Sequence, residues 1–518
     1  MKKFIQLLIV ATVATTGNIY AQGIYAGDAL RFSRTDYGSS ARFKGLGNAQ
    51  ISLGGDISSI GGNPAGLGMF TRSEFTISPE FNNTRANINY LGQQTKSTKN
   101  MLNLNQAAAV WYNPIVKAPG ADLNKGLISI VWGVGYNRNN DFSVENNFSG
   151  VNSNSSIADS WAQRANGQTP ANFQRGSVEK MAFDSYLIDK QVGSPSNYFP
   201  ATSQTNVQNQ SEVREGSTSE MNFAAGLNFS NKFYLGASIG FVNVRYVTDR
   251  LYTESGTVIN TVGPNDPAPD PNNPNEKPNP HVGQNYDLTY RSNQNTTGAG
   301  VNGRIGLIYK PVNTIRLGAT FQTPTWMHME EDFSEVIDTR FSGGGAPTIN
   351  IFNDVANSNM NYNLRTPYKG SFGASVIIGQ NALLTADVDY VDYASTKLSV
   401  SDGYRDLIRS ENQFIKENYT HAFNYRVGGE YRIDQFSLRA GYGLNGSPYK
   451  EDPKNRFDVK YYSGGIGYRV NEYYVDLAYQ RTETHNTLSP YELADFSEPV
   501  ATSKLSKNNV FLTVGVRF

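Results

Sequence analysis

The sequence predicts an all-β fold: a 14-stranded antiparallel transmembrane β-barrel with an N-terminal hatch inside its lumen and long extracellular loops. Three observations carry this. After residue 21 no apolar run is long enough to cross a membrane as a helix. Strict apolar–polar alternation recurs along the rest of the chain in fourteen segments, each with one apolar face. The links between these segments are short on one side and mostly long on the other, which is the habit of an outer-membrane barrel and not of a Greek-key sandwich.

Composition points the same way. Of 518 residues 38% are hydrophobic and only 17% charged, while Gly (49), Tyr (31) and Phe (27) are abundant, a mix that suits strands better than helices. Lys+Arg and Asp+Glu are equal at 45, so no basic excess marks a nucleic-acid partner. With no cysteine, disulfides, thiolate metal sites and thiol catalysis are excluded.

Residues 1–21 read as an export signal. Lys2 and Lys3 precede an apolar core over residues 4–14, and cleavage is expected after the small residue Ala21. Residues 22–72 follow as the hatch. They are too numerous for a leader and too rich in glycine for a stable helix or strand. Within them, "GGDISSIGGNPAGLGMF" at residues 54–70 lacks the preceding strand, following helix and lysine of a phosphate loop. Asn63 and Pro64 start a turn instead. Such a segment, entering a barrel from the periplasmic end, would pack as a compact plug.

Residues 73–518 are the barrel. Strands are expected to begin near Ser73, Asn103, Gly126, Ser219, Lys232, Thr297, Thr314, Lys369, Ala382, Ala422, Phe436, Phe457, Tyr473 and Lys507. In the last of them Val510, Leu512, Val514, Val516 and Phe518 share one face, and Phe518 supplies the terminal aromatic usual for an outer-membrane barrel. Long outer links are expected over residues 139–218, 247–296, 327–368, 394–421 and 482–506. Tyr390 with Tyr393, Tyr461 with Tyr462 and Tyr473 with Tyr474 are expected in an interfacial girdle.

Two loops stand out. Residues 264–280 hold seven prolines and should be extended and solvated; Asp266, Asp270 and Glu276 there fit no EF-hand spacing. Residues 155–200 lack alternation, and Trp161, Ala165, Met181, Tyr186 and Leu187 fit short amphipathic helices over the barrel mouth. The four histidines, His281, His328, His421 and His485, are scattered. Met327, His328 and Met329 are the one group with the residue types of haem ligands, and His421 is the one conceivable base for a surface hydrolase. No GxSxG, HExxH or GxxxxGK[ST] occurs, so neither an enzyme nor a cofactor is expected.

The stretch "ISLGGDISSIGGNPAGLGMFTRSEFTISPEF" resembles the N-terminal hatch of the FadL-type outer-membrane transporters of long-chain fatty acids and other hydrophobic compounds (OMPP1/FadL/TodX). Asn63, Pro64 and Ala65 match the family's Asn-Pro-Ala, and Asp56 falls in its upstream acidic position. "YAGDALRFSRTDYGSSARFKGLGNAQ" is similar to the Bacteroidetes branch. The resemblance implies passive uptake of long-chain fatty acids or similar apolar molecules by a monomer in the outer membrane. It also implies release into the membrane through a hatch movement and a kink in the third strand, which Gly133 and Gly135 would permit. The same resemblance leaves open a cargo-binding or docking role in a secretion system, and uptake of haem or aromatic hydrocarbons.

Overall fold

The computed structural model describes residues 24–34, 36–120, 122–191, 193–194, 196–259, 279–401 and 403–518. The expected signal and nearly all of the proline-rich loop lie outside the described residues. Fourteen strands close into one antiparallel ring. They are β1 (Glu74–Tyr90), β2 (Gln93–Pro114), β3 (Leu127–Asp141, continued as Val144–Asn152), β4 (Asn206–Phe229), β5 (Phe233–Thr257), β6 (Asn285–Val312) and β7 (Ile315–Gln322, continued as Trp326–Ser342). The ring goes on through β8 (Ala356–Arg365, continued as Lys369–Ile378), β9 (Ala382–Asp392), β10 (His421–Ile433), β11 (Phe436–Asn445), β12 (Val459–Val470), β13 (Tyr473–Leu488) and β14 (Ala501–Arg517). Each pairs with its sequence neighbour, and β14 closes on β1 with Phe75 opposite Val516 and Thr84 opposite Lys507.

In the half of the barrel nearer the termini, the apolar faces point outward. Val475, Leu477, Val510, Leu512 and Val514 are all more than a third exposed, while Asp476, Gln480 and Thr513 on the opposite face are buried. A soluble core would require the reverse. Among the described residues no helix is long and apolar enough to cross a membrane. This outward band with a buried polar interior is how strands satisfy both lipid and backbone. Apart from residues 115–126 between β2 and β3, short turns connect the strands at the end that carries Ser73 and Phe518, whose backbones pair (3.1 Å and 3.0 Å). We take this as the periplasmic end.

The expected outer loops are largely wall. Residues 144–152, 206–218, 247–257, 285–296, 326–342 and 356–365 continue the strands upward. Outside the apolar band these strands face water, so their outer faces carry residues such as Asp249, Arg291, Glu330 and Asp332 and lose the signature of a lipid-facing strand. The first outer link is only a tight turn at Leu91 and Gly92. Two interruptions also hid the continuity. Thr323, Pro324 and Thr325 split β7, and Thr366, Pro367 and Tyr368 split β8. Gln322 pairs with Arg304 and Trp326 with Val301, so three residues of β7 face two of β6. This is a bulge, and it inverts which parity points inward.

The tyrosine girdle is corrected by the same period of two. Tyr390, Tyr462 and Tyr473 face outward, but Tyr393, Tyr461 and Tyr474 are buried inside. Adjacent strand residues, and residues three apart, cannot share a face.

Above the barrel, helices α3 (Ile157–Ala165) and α4 (Val178–Asp184) form a cap over the mouth, preceded in the chain by two helices inside the lumen, α1 (Ile24–Ser33) and α2 (Ala41–Gly45). A fifth helix, α5 (Arg405–Asn418), lies between β9 and β10. Trp161, Ala165, Met181 and Leu187 pack with Tyr252, Tyr286, Ile337 and Phe341 in one apolar cluster; Tyr186 instead points out. At its edge the Glu254 carboxylate accepts five hydrogen bonds: from Ser156 Oγ, Ile157 N–H (3.1 Å), Gln208 Nε2 (3.1 Å), Tyr252 OH (2.6 Å) and Tyr286 OH (2.8 Å). Burial still pushes its pKa above the ordinary glutamate range.

Candidate functional site

Residues 36–72 fill the lower lumen, and each residue of the expected hatch motif has a local structural task. Asp56 caps a 3₁₀ turn (Ile57–Ile60) by accepting from Ser58 N–H at 3.0 Å, and it also accepts from Ser40 Oγ. Asn63 caps the next turn (Pro64–Met69), accepting from Ala65 N–H at 3.1 Å, with Pro64 at the first helical position. Its amide then donates to Ile51 O (2.6 Å) and to Leu307 O of the wall (3.2 Å). The motif thus ties two hatch turns to each other and to β6.

Wall side chains secure the hatch backbone. Asp387 of β9 accepts from Gln50 N–H (2.6 Å) and Ile51 N–H (2.9 Å). Thr513 accepts from Ala41 N–H (2.8 Å), Asn105 donates to Ser39 O (2.6 Å) and Arg316 donates to Leu53 O (2.7 Å). Where no side chain intervenes, glycine lets backbone meet backbone. A Cβ at Gly236 would lie 2.2 Å from Pro64 C, and one at Gly318 would lie 2.1 Å from Ile51 O. These wall glycines were not singled out from sequence; the signal for them was that they recur on the inward parity of several strands.

Gly133 and Gly135 have the same character. A Cβ on Gly133 would lie 2.9 Å from Ile60 Cδ1, so the residue makes room for the hatch. β3 pairs with β2 and with β4 through both glycines without a register shift. The wall parts further up. The β2–β3 ladder runs from Pro114 opposite Ser129 to Gln106 opposite Asn137 and stops there. β3 shifts register against β4 between Arg138 and Asn140, and breaks at Phe142 and Ser143. β2 bulges at the same spot, where Ser78 faces Gln106 and Pro79 faces Leu104, so that Asn105 is the extra residue. Above the gap only side chains rejoin the two strands, Thr95 Oγ1 to Asn147 O and Ser97 Oγ to Glu145 O, and the Lys99–Glu215 ion pair (2.6 Å) spans from β2 to β4.

Behind this parting lies a cavity of about 420 Å³, with α1 and the hatch at its sides. Asn105 and residues 138–142 border it from the parted strands, and Phe457, Val459, Leu488 and Leu505 provide an apolar side. Six basic side chains line it, Arg31, Arg34, Lys44, Arg138, Arg214 and Lys507, against three carboxylates, Asp36, Glu80 and Asp141. Arg138 reaches Asp141 at 2.9 Å and Arg214 reaches Glu212 at 2.9 Å.

Helix α1 occupies the lumen above. Ala26, Ala29, Leu30 and Phe32 pack on Met327, Met329, Met360, Tyr362 and Tyr246. Glu411 accepts from Ala26 N–H (2.8 Å), and Gln294 donates both to Asp28 (2.7 Å) and to Glu331 (2.9 Å). Burial, reinforced by the Asp28 charge, raises the pKa of both Glu331 and Glu411.

The haem candidates do not converge. Met327 and Met329 point inward, and His328 points outward from the same strand. Among the described residues no group of three His, Asp or Glu is arranged to hold a metal. His421 stacks beside Tyr390 (5.7 Å) at a strand start and meets no serine partner in the described hydrogen bonds.

No curated protein matches the chain by sequence. Among solved structures, the chain is similar to the P. putida toluene transporter TodX, at 13% identity over 93% of this chain and 99% of that one, with a TM-score of 0.52. A second Pseudomonas putida TodX structure gives 12% identity over 94% and 99%, with a TM-score of 0.50. At such identity the likeness speaks for the fold. The family model described as outer membrane protein transport protein (OMPP1/FadL/TodX) matches residues 193–511, more than half of the chain. With a closed barrel, a filled lower lumen and an outward apolar band, the chain belongs to the OMPP1/FadL/TodX family of outer-membrane transport proteins and is a channel of the outer membrane, not an enzyme.

Proposed function

We propose that this channel takes up amphipathic acids, with long-chain fatty acids as the foremost candidates, and releases them sideways between β2 and β3. The observation that carries the reading is the cavity behind the parted strands. It joins an apolar side to six cationic side chains, of which Arg31, Lys44, Arg138, Arg214 and Lys507 have carboxylate partners and Arg34 has none among the described residues, which suits a ligand with a greasy tail and an anionic head. A neutral aromatic hydrocarbon, the cargo named for the TodX structures, would leave Arg34 without an anionic partner. The hatch motif residues Asp56, Asn63, Pro64 and Ala65 hold the axial route shut, so lateral release needs no unfolding of the plug. Gly133 and Gly135 serve this route by seating Ile60 below the parting.

Thr482 and Thr484 line the cavity from β13 and offer a way to fill it. In a host lacking its own outer-membrane fatty-acid uptake, Thr482→Trp with Thr484→Trp should lower uptake of a labelled long-chain fatty acid by about ten-fold, equivalent to about 1.4 kcal/mol. Unchanged uptake by a correctly folded variant would overturn the assignment. The cap, with its own apolar core, favours a second reading as a docking surface. In that case filling the cavity changes nothing, and removing residues 155–200 abolishes the activity.

A further inference from the structure

A second cavity, of about 340 Å³, opens beneath the hatch at the periplasmic mouth. Gly54, Gly55 and Met69 form its roof, and its sides come from the turn regions β10–β11 and β12–β13, the start of β7 and the end of β14. Six arginines line it: Arg42, Arg316, Arg432, Arg439, Arg469 and Arg517.

Four of these are neutralised. Arg42 (3.1 Å), Arg432 (2.9 Å) and Arg439 (2.8 Å) share the single carboxylate of Glu430, Arg439 also reaches Asp476 (2.5 Å), and Arg517 reaches Glu74 (2.5 Å). The other two have no carboxylate partner among the described residues. Arg316 spends one nitrogen on Leu53 O, and its buried Nε has no partner. Arg469 lies 5.2 Å over the Tyr474 ring, with Arg517 at 5.6 Å from the same ring. Two guanidinium groups without a carboxylate partner thus face one chamber, each a planar fork that matches an oxyanion. Tyr468, on the lining, is 41% exposed on the outer wall, so the chamber sits at the level of the periplasmic headgroups.

We propose that this mouth is a binding site for a phosphate oxyanion, supplied either by an anionic phospholipid headgroup of the periplasmic leaflet or by free phosphate. Arg316 and Arg469 hold the anion, and Arg316 couples it to the hatch through Leu53 O. The site is independent of whatever ligand enters the upper cavity, and Thr482→Trp leaves it intact.

The test uses the full chain in neutral detergent, with Arg316→Gln/Arg469→Gln as the variant and heat-modifiable gel migration as the check of folding. Native mass spectrometry reads retained phosphatidylglycerol against phosphatidylcholine, and the thermal midpoint is followed in inorganic phosphate against chloride at equal ionic strength. Expected is about ten-fold less of the retained anion in the variant. Loss in the phosphatidylglycerol arm identifies a headgroup, and loss in the phosphate arm a soluble anion. Equal behaviour of wild type and variant in both arms overturns the proposal. Should the double variant misfold, the exposed Arg469→Gln alone is read in the same way.

Discussion

The lower and upper halves of this barrel use the same strands with opposite chemistry. In the lower half the inner face of β6 carries Asn302 and Arg304, and Arg304 forms a buried pair with Glu220 at 2.8 Å. In the upper half the same face carries Tyr286, Leu288 and Tyr290. The outer face changes in the complementary sense, from Val301, Ile305 and Leu307 to Asp287, Arg291 and Asn293. The lower half is a membrane protein, with lipid outside and a polar, hatch-filled interior. The upper half is a soluble protein built on the same frame, with water outside and an apolar core made by α1 and the cap. The cavity with the parted strands lies where the two regimes meet, so a ligand there has both chemistries in reach.

The largest effect is expected where the lower interior has no room for a side chain. Gly236→Leu and Gly318→Leu would each push a side chain into the hatch backbone, at contact distances of 2.2 Å and 2.1 Å already for a Cβ. Neither backbone can yield alone, so the cost should reach about 4 kcal/mol or more. Gly370, with nothing within 4 Å of its would-be Cβ, is the control and should accept alanine with little change. Denaturant titration in lipid vesicles and protease access to residues 36–72 measure both. A Gly236→Leu protein with a protected hatch and unaltered stability would mean the plug is not docked as described.

These two regimes also explain what was legible beforehand. The lower half announced itself because lipid imposes a strict period of two, and the order of the fourteen strands follows from that pattern. The hatch motif was visible because Asn63 and Pro64 are turn chemistry. The upper walls were mistaken for loops because water imposes no outer pattern and because Pro324 and Pro367 invert the parity in mid-strand. The parting of β2 from β3 had no counterpart in the pattern of β3, whose Gly133 and Gly135 suggest only a permitted kink. Inward glycines signal close approach, here of Ile60, whereas the loss of pairing above Asn137 depends also on the neighbouring strand and has no local signature in the residues of β3. The cationic cavity joins residues from 31 to 507, which no local spacing reveals.

A charge scan of the outer surface would sharpen the boundary. Leu477 is 44% exposed at the middle of the outward band, between Val475 and Tyr479. Leu477→Arg should cost about 2–4 kcal/mol in a bilayer. Asn293→Arg, on the outer face of the upper wall, should stay within about 0.5 kcal/mol. Folding equilibria in vesicles of defined lipid decide the matter. Equal costs at both sites would place the membrane boundary elsewhere.

The smallest effect separates the halves by pH. Glu254, Glu331 and Glu411 all lie in the upper half, and burial raises the pKa of each. A carboxyl whose folded value exceeds its unfolded one binds more protons folded than unfolded. The stability it contributes is therefore complete below the ordinary glutamate value of about 4.3 and is lost as pH climbs through the raised values. The cap and the α1 packing should tighten in mild acid and loosen towards neutrality, while the lipid-facing band stays as it is. Trp161 reports this directly, being 3% exposed in the cap, whereas Trp111, Trp132 and Trp326 lie on the outer wall at 47%, 55% and 50%. With those three replaced by Phe, acrylamide quenching of Trp161 should increase as pH rises above the ordinary glutamate value of about 4.3. Glu254→Gln should flatten that rise by keeping a neutral group at the centre of the Tyr252 and Tyr286 network. Quenching that falls as pH rises would show that the cap is held by ionised carboxylates, and the contrast between the halves would then rest on packing alone.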